Sequence, residues 1–245
     1  MGMDFTFLHL IAPAAWLSLT AHDPRENGAS CAPAGTEASM PVAAGLIDGA
    51  LRLCLASGSP RRRALLHDLG WEFETVSPDV DESPLPGETP ESLCERLARL
   101  KAEAGAQQIP GAETLVLAAD TIVVVDGRVL GKPSGREEAC AMLRLLQGRA
   151  HEVMTGVALC WRGQLLSGVE RTAVHFRPLT EREVRAYAAT GEGDDKAGAY
   201  AIQGKGALLV SAIEGDYFNV VGLPLCRLGR MMEDLGLELE RMIRA

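Results

Sequence analysis

The spacing of apolar positions changes several times along the chain, and each change marks an element. Leu51 to Ala56 is a short apolar run that reads as a strand ending at Ser57-Gly58-Ser59-Pro60. Arg61 to Leu69 then reads as a helix closed by Gly70. Glu72 to Val76 is a second strand-like stretch, followed by a proline- and acid-rich loop from Ser77 to Pro90. Across Glu91 to Gln107, Leu93, Leu97, Leu100 and Ala104 recur at helical spacing and predict one apolar stripe. Leu115 to Val125 is almost wholly apolar, the pattern of a central strand buried on both faces. Asp126-Gly127 predicts a tight hairpin returning through Arg128 to Gly131.

Downstream, Ser134-x-x-Glu137 and Thr180-x-x-Glu183 predict capping boxes, opening helices that run to about Gly148 and Ala189. Between them, strands over Glu152 to Trp161 and Gln164 to Phe176 turn at Arg162-Gly163. A glycine-rich loop, Gly191 to Gly206, leads to a strand over Ala207 to Glu214. The chain finishes with Val220-Val221, a Gly-Leu-Pro turn and a helix from Leu225 to Leu235. Strands and helices mix without a strict βαβ repeat, which predicts an α/β domain with a mixed sheet over residues 51–245.

Residues 1–50 look different. Phe5 to Leu19 is apolar, and His22 to Ala44 is rich in Pro, Gly, Ala and Ser with no period. A secretory signal needs a basic segment before its apolar core, and only Asp4 carries charge there. The expectation is a disordered extension or a mis-called start, with Met40 as the alternative first residue.

Composition narrows the function classes. The 245 residues are 47% hydrophobic and 23% charged, an ordinary globular balance. Lys+Arg of 24 against Asp+Glu of 33 gives a net charge of −9, which argues against stable nucleic-acid binding unless positive charge gathers at one small site. The six cysteines, Cys31, Cys54, Cys94, Cys140, Cys160 and Cys226, form no C-x-x-C pair and no zinc spacing. They read as small buried apolar residues of a reducing, cytoplasmic setting. No apolar run nears the roughly 20 residues of a membrane span.

Four segments carry candidate chemistry. In Ser57-Gly58-Ser59-Pro60-Arg61-Arg62-Arg63 a strand runs into a turn where Ser59 can cap a helix and Pro60 suits its first position. The first-turn N–H groups and the arginines make an anion cradle, although residues about 100° apart cannot all face one ligand. Asp120, inside the apolar run, is costly to bury unless it is paired, binds metal or lines a cleft. Thr121 beside it offers a hydroxyl. Asp79, Asp81 and Glu82 lie in a loop, and Lys101 sits about 40° off the helical stripe, able to reach over its edge. In a regular ladder the Asp126-Gly127 turn sets Lys132 opposite Thr121 and so puts Asp120 on the other face; one pocket for both requires the sheet to break or twist. The fourth segment, Asp194 to Gly204, has glycines that allow close approach to a ligand, and a Gln203 able to pair with a base edge. Gly127 to Pro133 mimics a Walker A loop, but its glycines are one residue too close and Pro133 replaces the hydroxyl residue.

Taken in order, these segments resemble the Maf family of nucleoside triphosphate pyrophosphatases. The matching stretches are LASGSPRR (Leu55 to Arg62), DVDE (Asp79 to Glu82), ERLARLKA (Glu95 to Ala102), AADTIV (Ala118 to Val123), GKP (Gly131 to Pro133), DKAGAYAIQG (Asp195 to Gly204) and VVGLPL (Val220 to Leu225). The resemblance implies a single elongated α/β domain with a deep cleft, akin to inosine triphosphatases, that splits a nucleoside triphosphate into monophosphate and pyrophosphate. It implies Asp120 as the acid that activates water, and Glu82 with Asp120 as holders of a divalent metal, Mg or Mn. Ser57, Ser59, Arg61, Arg62, Lys101 and Lys132 are implied to face the phosphates, with Asp195 and Lys196 completing the substrate contacts. Arg61, Thr121 and Gln203 are similar to the subfamily acting on dTTP and UTP. Asp194, and the lack of a proline before it, depart from the family pattern. The alternatives are a pyrophosphatase for methylated guanine nucleotides such as 7-methyl-GTP, and a non-catalytic nucleotide-binding regulator of cell division. The expected partner is a small nucleotide, with no membrane and with room for a homodimer.

Overall fold

The computed structural model describes residues 46–47, 51–109, 111 and 113–244. Apart from 46–47, the expectations for residues 1–50 lie outside the described residues. One mixed sheet organises the rest. Strands β1 (Leu46–Ile47), β2 (Leu51–Ala56), β4 (Thr114–Val125), β6 (Ala150–Trp161), β7 (Gln164–Phe176) and β8 (Val210–Glu214) follow one another across it. β3 (Glu74–Val76) pairs with β2, and β5 (Arg128–Leu130) with β4. β2 and β4 are parallel, while β4, β6, β7 and β8 are successively antiparallel.

The hairpin at Asp126-Gly127 forms as its sequence requires, with φ of 50° and 73° at the two turn residues. The helices are α1 (Pro60–Asp68), α2 (Pro90–Gln108), α3 (Arg136–Leu146), α4 (Glu181–Ala188), α5 (Tyr217–Val221), α6 (Leu225–Asp234) and α7 (Leu239–Arg244). The Thr180 capping box is complete. The Ser134 box is not: Gly135 takes the N-cap position, and Glu138, not Glu137, reaches back to accept from the Ser134 N–H at 2.7 Å and hydroxyl at 2.5 Å. The strand expected from Ala207 begins only at Val210. Glu192 accepts from the N–H groups of Lys205 and Gly206 and holds Gly204–Leu208 in a 3-10 turn. Val220-Val221 closes a short helix capped by Asp216.

Alternation along β4 sorts the core. Val116, Ala118, Ile122 and Val124 face α2, while Leu115, Leu117, Ala119, Val123 and Val125 face the other layer. The buried stripe of α2 differs from the expected leucine row. It runs through Leu93, Cys94, Leu97, Ala98, Ala102 and Gly105. Small residues let the helix lie close to the sheet. A Cβ on Gly105 would come within 2.7 Å of the Ala56 Cβ, and one on Gly156 of β6 would collide with the Cys94 carbonyl. That close approach brings Lys101 down to the strand.

On the opposite layer, His151 of β6 is buried among Phe176 and Tyr200, with Nε2 2.7 Å from the Tyr200 hydroxyl. Burial pushes its pKa down to about 4, below the ordinary 6.5. The folded protein therefore holds a neutral imidazole over a range in which the unfolded chain takes up a proton. This stability is full above pH 6.5 and is lost as pH falls toward 4, about 3 kcal/mol in all. Chemical denaturation at pH 7 and pH 4.5 should show the loss, and His151→Gln, whose amide can still pair with the Tyr200 hydroxyl, should reduce the difference by that amount.

Candidate active site

A cleft of about 780 Å³ opens where β4 lacks a neighbour. One edge of β4 pairs with β6 over residues 116–124. The other edge pairs with β2 only over 114–117, and with β5 only over 123–125. Residues 118–122 thus lie along an open edge, and Asp120, Thr121 and Ile122 line the cleft. This gap resolves the register conflict. β5 ends at Leu130, so Gly131 and Lys132 leave the ladder before Lys132 comes opposite Thr121, and Lys132 borders the same hollow as Asp120.

Every expected site residue lines this cleft: Ser57, Ser59, Arg61, Arg62, Glu82, Lys101, Asp120, Thr121, Lys132, Asp195, Lys196 and Gln203. Arg63, Asp79 and Asp81 do not. Asp81 instead accepts from the Ser83 N–H, in a local turn. In a chain of net charge −9, the cleft gathers five cations against three carboxylates. It is the concentrated positive region that a polyanionic ligand needs.

On the α2 face, Lys101 Nζ lies 2.6 Å from both Asp120 Oδ1 and Glu82 Oε1. Asp120 is only 9% exposed, so this ammonium compensates its burial. Glu82 is held below the ordinary carboxylate range, first by its hydrogen bond to Lys101 and further by the charges of Lys132 and Arg62. Among the described residues, Asp120 accepts its side-chain hydrogen bond through Oδ1, from Lys101, and not through Oδ2.

The carboxylates of Glu82 and Asp120 meet at the Lys101 ammonium, and their oxygens are donors of the kind that Mg or Mn takes. No group of three or more His, Cys, Asp or Glu among the described residues forms a cage for a resident ion.

Across the sheet, the two arginines take different parts. Ser59 caps α1, and Pro60 fills its first position. The Arg62 N–H goes to the Ser59 hydroxyl and the Arg63 N–H to its carbonyl, which leaves less of the expected backbone cradle free. Arg61, partly exposed at the lip, lies 3.6 Å from Asp195. Arg62 is buried. Its guanidinium donates to the Gly222 carbonyl at 2.7 Å, the Ser57 hydroxyl at 2.9 Å and the Thr121 hydroxyl at 2.9 Å. Burial pushes its pKa down to about 10, opposed by the charge of Asp120, and it stays protonated at neutral pH. Arg62 lines the cleft, but three of its five N–H bonds hold the wall together, leaving at most two for a ligand.

The Asp195-to-Gly204 segment forms the far lip. The Gly198 N–H donates to the Gly131 carbonyl at 3.1 Å, tying this lip to the turn that bears Lys132. Lys196 is anchored on the Glu192 carbonyl at 2.6 Å. Sequence reasoning missed Glu192, Gly222, Thr155 and Asn219. Thr155 and Asn219 are wholly buried behind Thr121. Their only signal is a polar residue at an inward position, and without the strand pairing nothing identifies its partner.

The profile of the Maf-like protein family matches residues 52–235. A dTTP/UTP pyrophosphatase of Symbiobacterium thermophilum is 51% identical over 185 residues, 76% of this chain and 94% of that protein. A dTTP/UTP pyrophosphatase of Pelotomaculum thermopropionicum is 51% identical over 186 residues, 75% of this chain and 96% of its own length. One of Hydrogenovibrio crunogenus is 45% identical over 183 residues, 75% of this chain and 95% of the relative.

Proposed function

The chain belongs to the Maf-like protein family, and from that premise we propose that it hydrolyses dTTP and UTP to the monophosphate and pyrophosphate. The observation that carries this reading is the meeting, in one cleft, of the Lys101-held Asp120 and the cations Arg61, Arg62 and Lys132. Phosphoanhydride cleavage asks a protein mainly for placement, charge neutralisation and an oriented water. Asp120 Oδ2 takes a proton from water as the water oxygen bonds to the α-phosphorus. The bond from that phosphorus to the bridging oxygen breaks, and pyrophosphate leaves with the electron pair. Arg61 and Lys132 stabilise the charge on the leaving group, and Ser57, its oxygen already accepting from Arg62, has a hydroxyl proton to donate to a phosphate oxygen. Glu82 and Asp120 would hold a divalent cation, Mg or Mn, whose charge offsets that of the phosphate oxygens. Gln203, exposed on the far lip, offers an amide donor and acceptor to the base edge.

A binder without turnover has no need of a water-orienting acid, and Asp120 with its lysine argues against that alternative. Among the described residues no helix is long and apolar enough to cross a membrane. The five described cysteines are free, which suits the reducing cytoplasm this reading assigns to the enzyme; Cys54, Cys94 and Cys140 are buried as expected, whereas Cys160 is half-buried and Cys226 is exposed on a helix. The test is pyrophosphate release from a panel of triphosphates. UTP and dTTP should be the best substrates, and a chelator should lower their turnover at least tenfold, with recovery on adding magnesium or manganese. Preferential cleavage of 7-methyl-GTP would contradict the pyrimidine assignment.

A further inference from the structure

Thr121 and Thr155 are paired across β4 and β6, and their hydroxyl oxygens lie 2.9 Å apart. Thr155 is fully buried, with its oxygen 3.0 Å from the Asn219 carbonyl. A carbonyl only accepts, so the Thr155 proton goes to Asn219 and the Thr155 oxygen is left to accept. The bond between the threonines therefore runs from Thr121 to Thr155. On its other side Thr121 accepts from Arg62 Nη2 at 2.9 Å, and a guanidinium never accepts. The chain of donors has one direction: Arg62 to Thr121, Thr121 to Thr155, Thr155 to Asn219.

That direction is held at its far end. The Asn219 side-chain amide donates to the Val153 carbonyl at 3.0 Å and to the Thr172 hydroxyl at 2.9 Å, fixing the residue whose carbonyl takes the Thr155 proton. Reversing the chain would leave a buried carbonyl without a donor, which is unfavourable. A hydroxyl has one proton and two lone pairs. In Thr121 the proton points inward and Arg62 occupies one lone pair. What remains for the cleft is a single acceptor.

We propose that Thr155 is a positioning residue that fixes the polarity of Thr121, so that the cleft meets Thr121 only as an acceptor and favours a base edge bearing N–H. The proposal rests on the pyrimidine reading above and deepens it. Thymine and uracil carry N3–H between two carbonyls. Cytosine has a bare nitrogen at the same place and can only accept there. An acceptor-only Thr121 offers the first two a hydrogen bond and sets lone pair against lone pair for the third. Discrimination by such a site is strong because the mismatched group stays unpaired.

Thr155→Val keeps the shape of the side chain and removes the inward acceptor, freeing the Thr121 hydroxyl to donate into the cleft. The ratio of kcat/KM for UTP to that for CTP should then fall about tenfold, partly by a gain on CTP. Thr155→Ser keeps the hydroxyl and should restore the wild-type ratio. A purely structural Thr155 would lower Tm and move both substrates together. An unchanged ratio in folded Thr155→Val, or a ratio in Thr155→Ser that falls as far as that of Val, overturns the proposal. Should valine not fold at this site, Thr155→Ala carries the same comparison. A wild-type protein that releases no pyrophosphate from UTP or dTTP contradicts the functional reading and the proposal together. A wild type that prefers UTP to CTP, with a ratio the variants leave untouched, contradicts the polarity proposal alone.

Discussion

Replacing Asp120 by asparagine should leave a folded protein whose kcat for UTP is lower by about a thousandfold, the scale of a lost general base. The amide has the shape of the carboxylate, and its oxygen can still accept from Lys101 Nζ, which also keeps Glu82 at 2.6 Å. What disappears is the charge and the basicity at Oδ2. Tm should therefore move little while turnover collapses, and KM should change far less than kcat, because the phosphate-binding cations remain. Steady-state pyrophosphate release, measured beside thermal unfolding, separates these effects. A folded variant with near-normal kcat would remove Asp120 from the chemistry.

The second large effect distinguishes two neighbouring arginines. Arg62→Ala should cost about 3–5 kcal/mol of stability, because it strips donors from three groups at once inside the wall. Those groups are Ser57, Thr121 and Gly222, held at 2.7–2.9 Å. For a chain of this size the loss corresponds to a fall in Tm of roughly 10 °C. Arg61→Ala should leave stability within about 0.5 kcal/mol, since its ion pair with Asp195 is partly exposed and long. It should act instead on KM for the triphosphate. Equal Tm shifts in the two variants would contradict the division of labour between them.

Much of this arrangement was legible in the chain. The apolar run at Leu115 to Val125, the Asp126-Gly127 turn and the Thr180 box each impose strong local geometry, and each formed where the pattern put it. Asp120 was conspicuous because a carboxylate in such a run demands an explanation. The division between Arg61 and Arg62 was not legible, since both are the same residue type and only the packing of α1 decides which one turns inward. Nor was the true face of α2, where alanine, cysteine and glycine matter by being small, whereas a hydrophobic pattern weights leucine. The Ser134 box failed for a local reason: the helix began one residue later and Glu138 took the part expected of Glu137. Lys132 escaped the ladder because β5 is only three residues long, and no periodicity reports where a short strand stops. Thr155 and Asn219 stayed hidden because their roles depend on contacts made 34 to 66 residues along the chain.

The central claim is that water oriented by Asp120 attacks the α-phosphorus, and hydrolysis of UTP in ¹⁸O-labelled water tests it most directly. The label should appear in UMP, with pyrophosphate unlabelled. Label in the pyrophosphate, or UDP and phosphate as products, would contradict it.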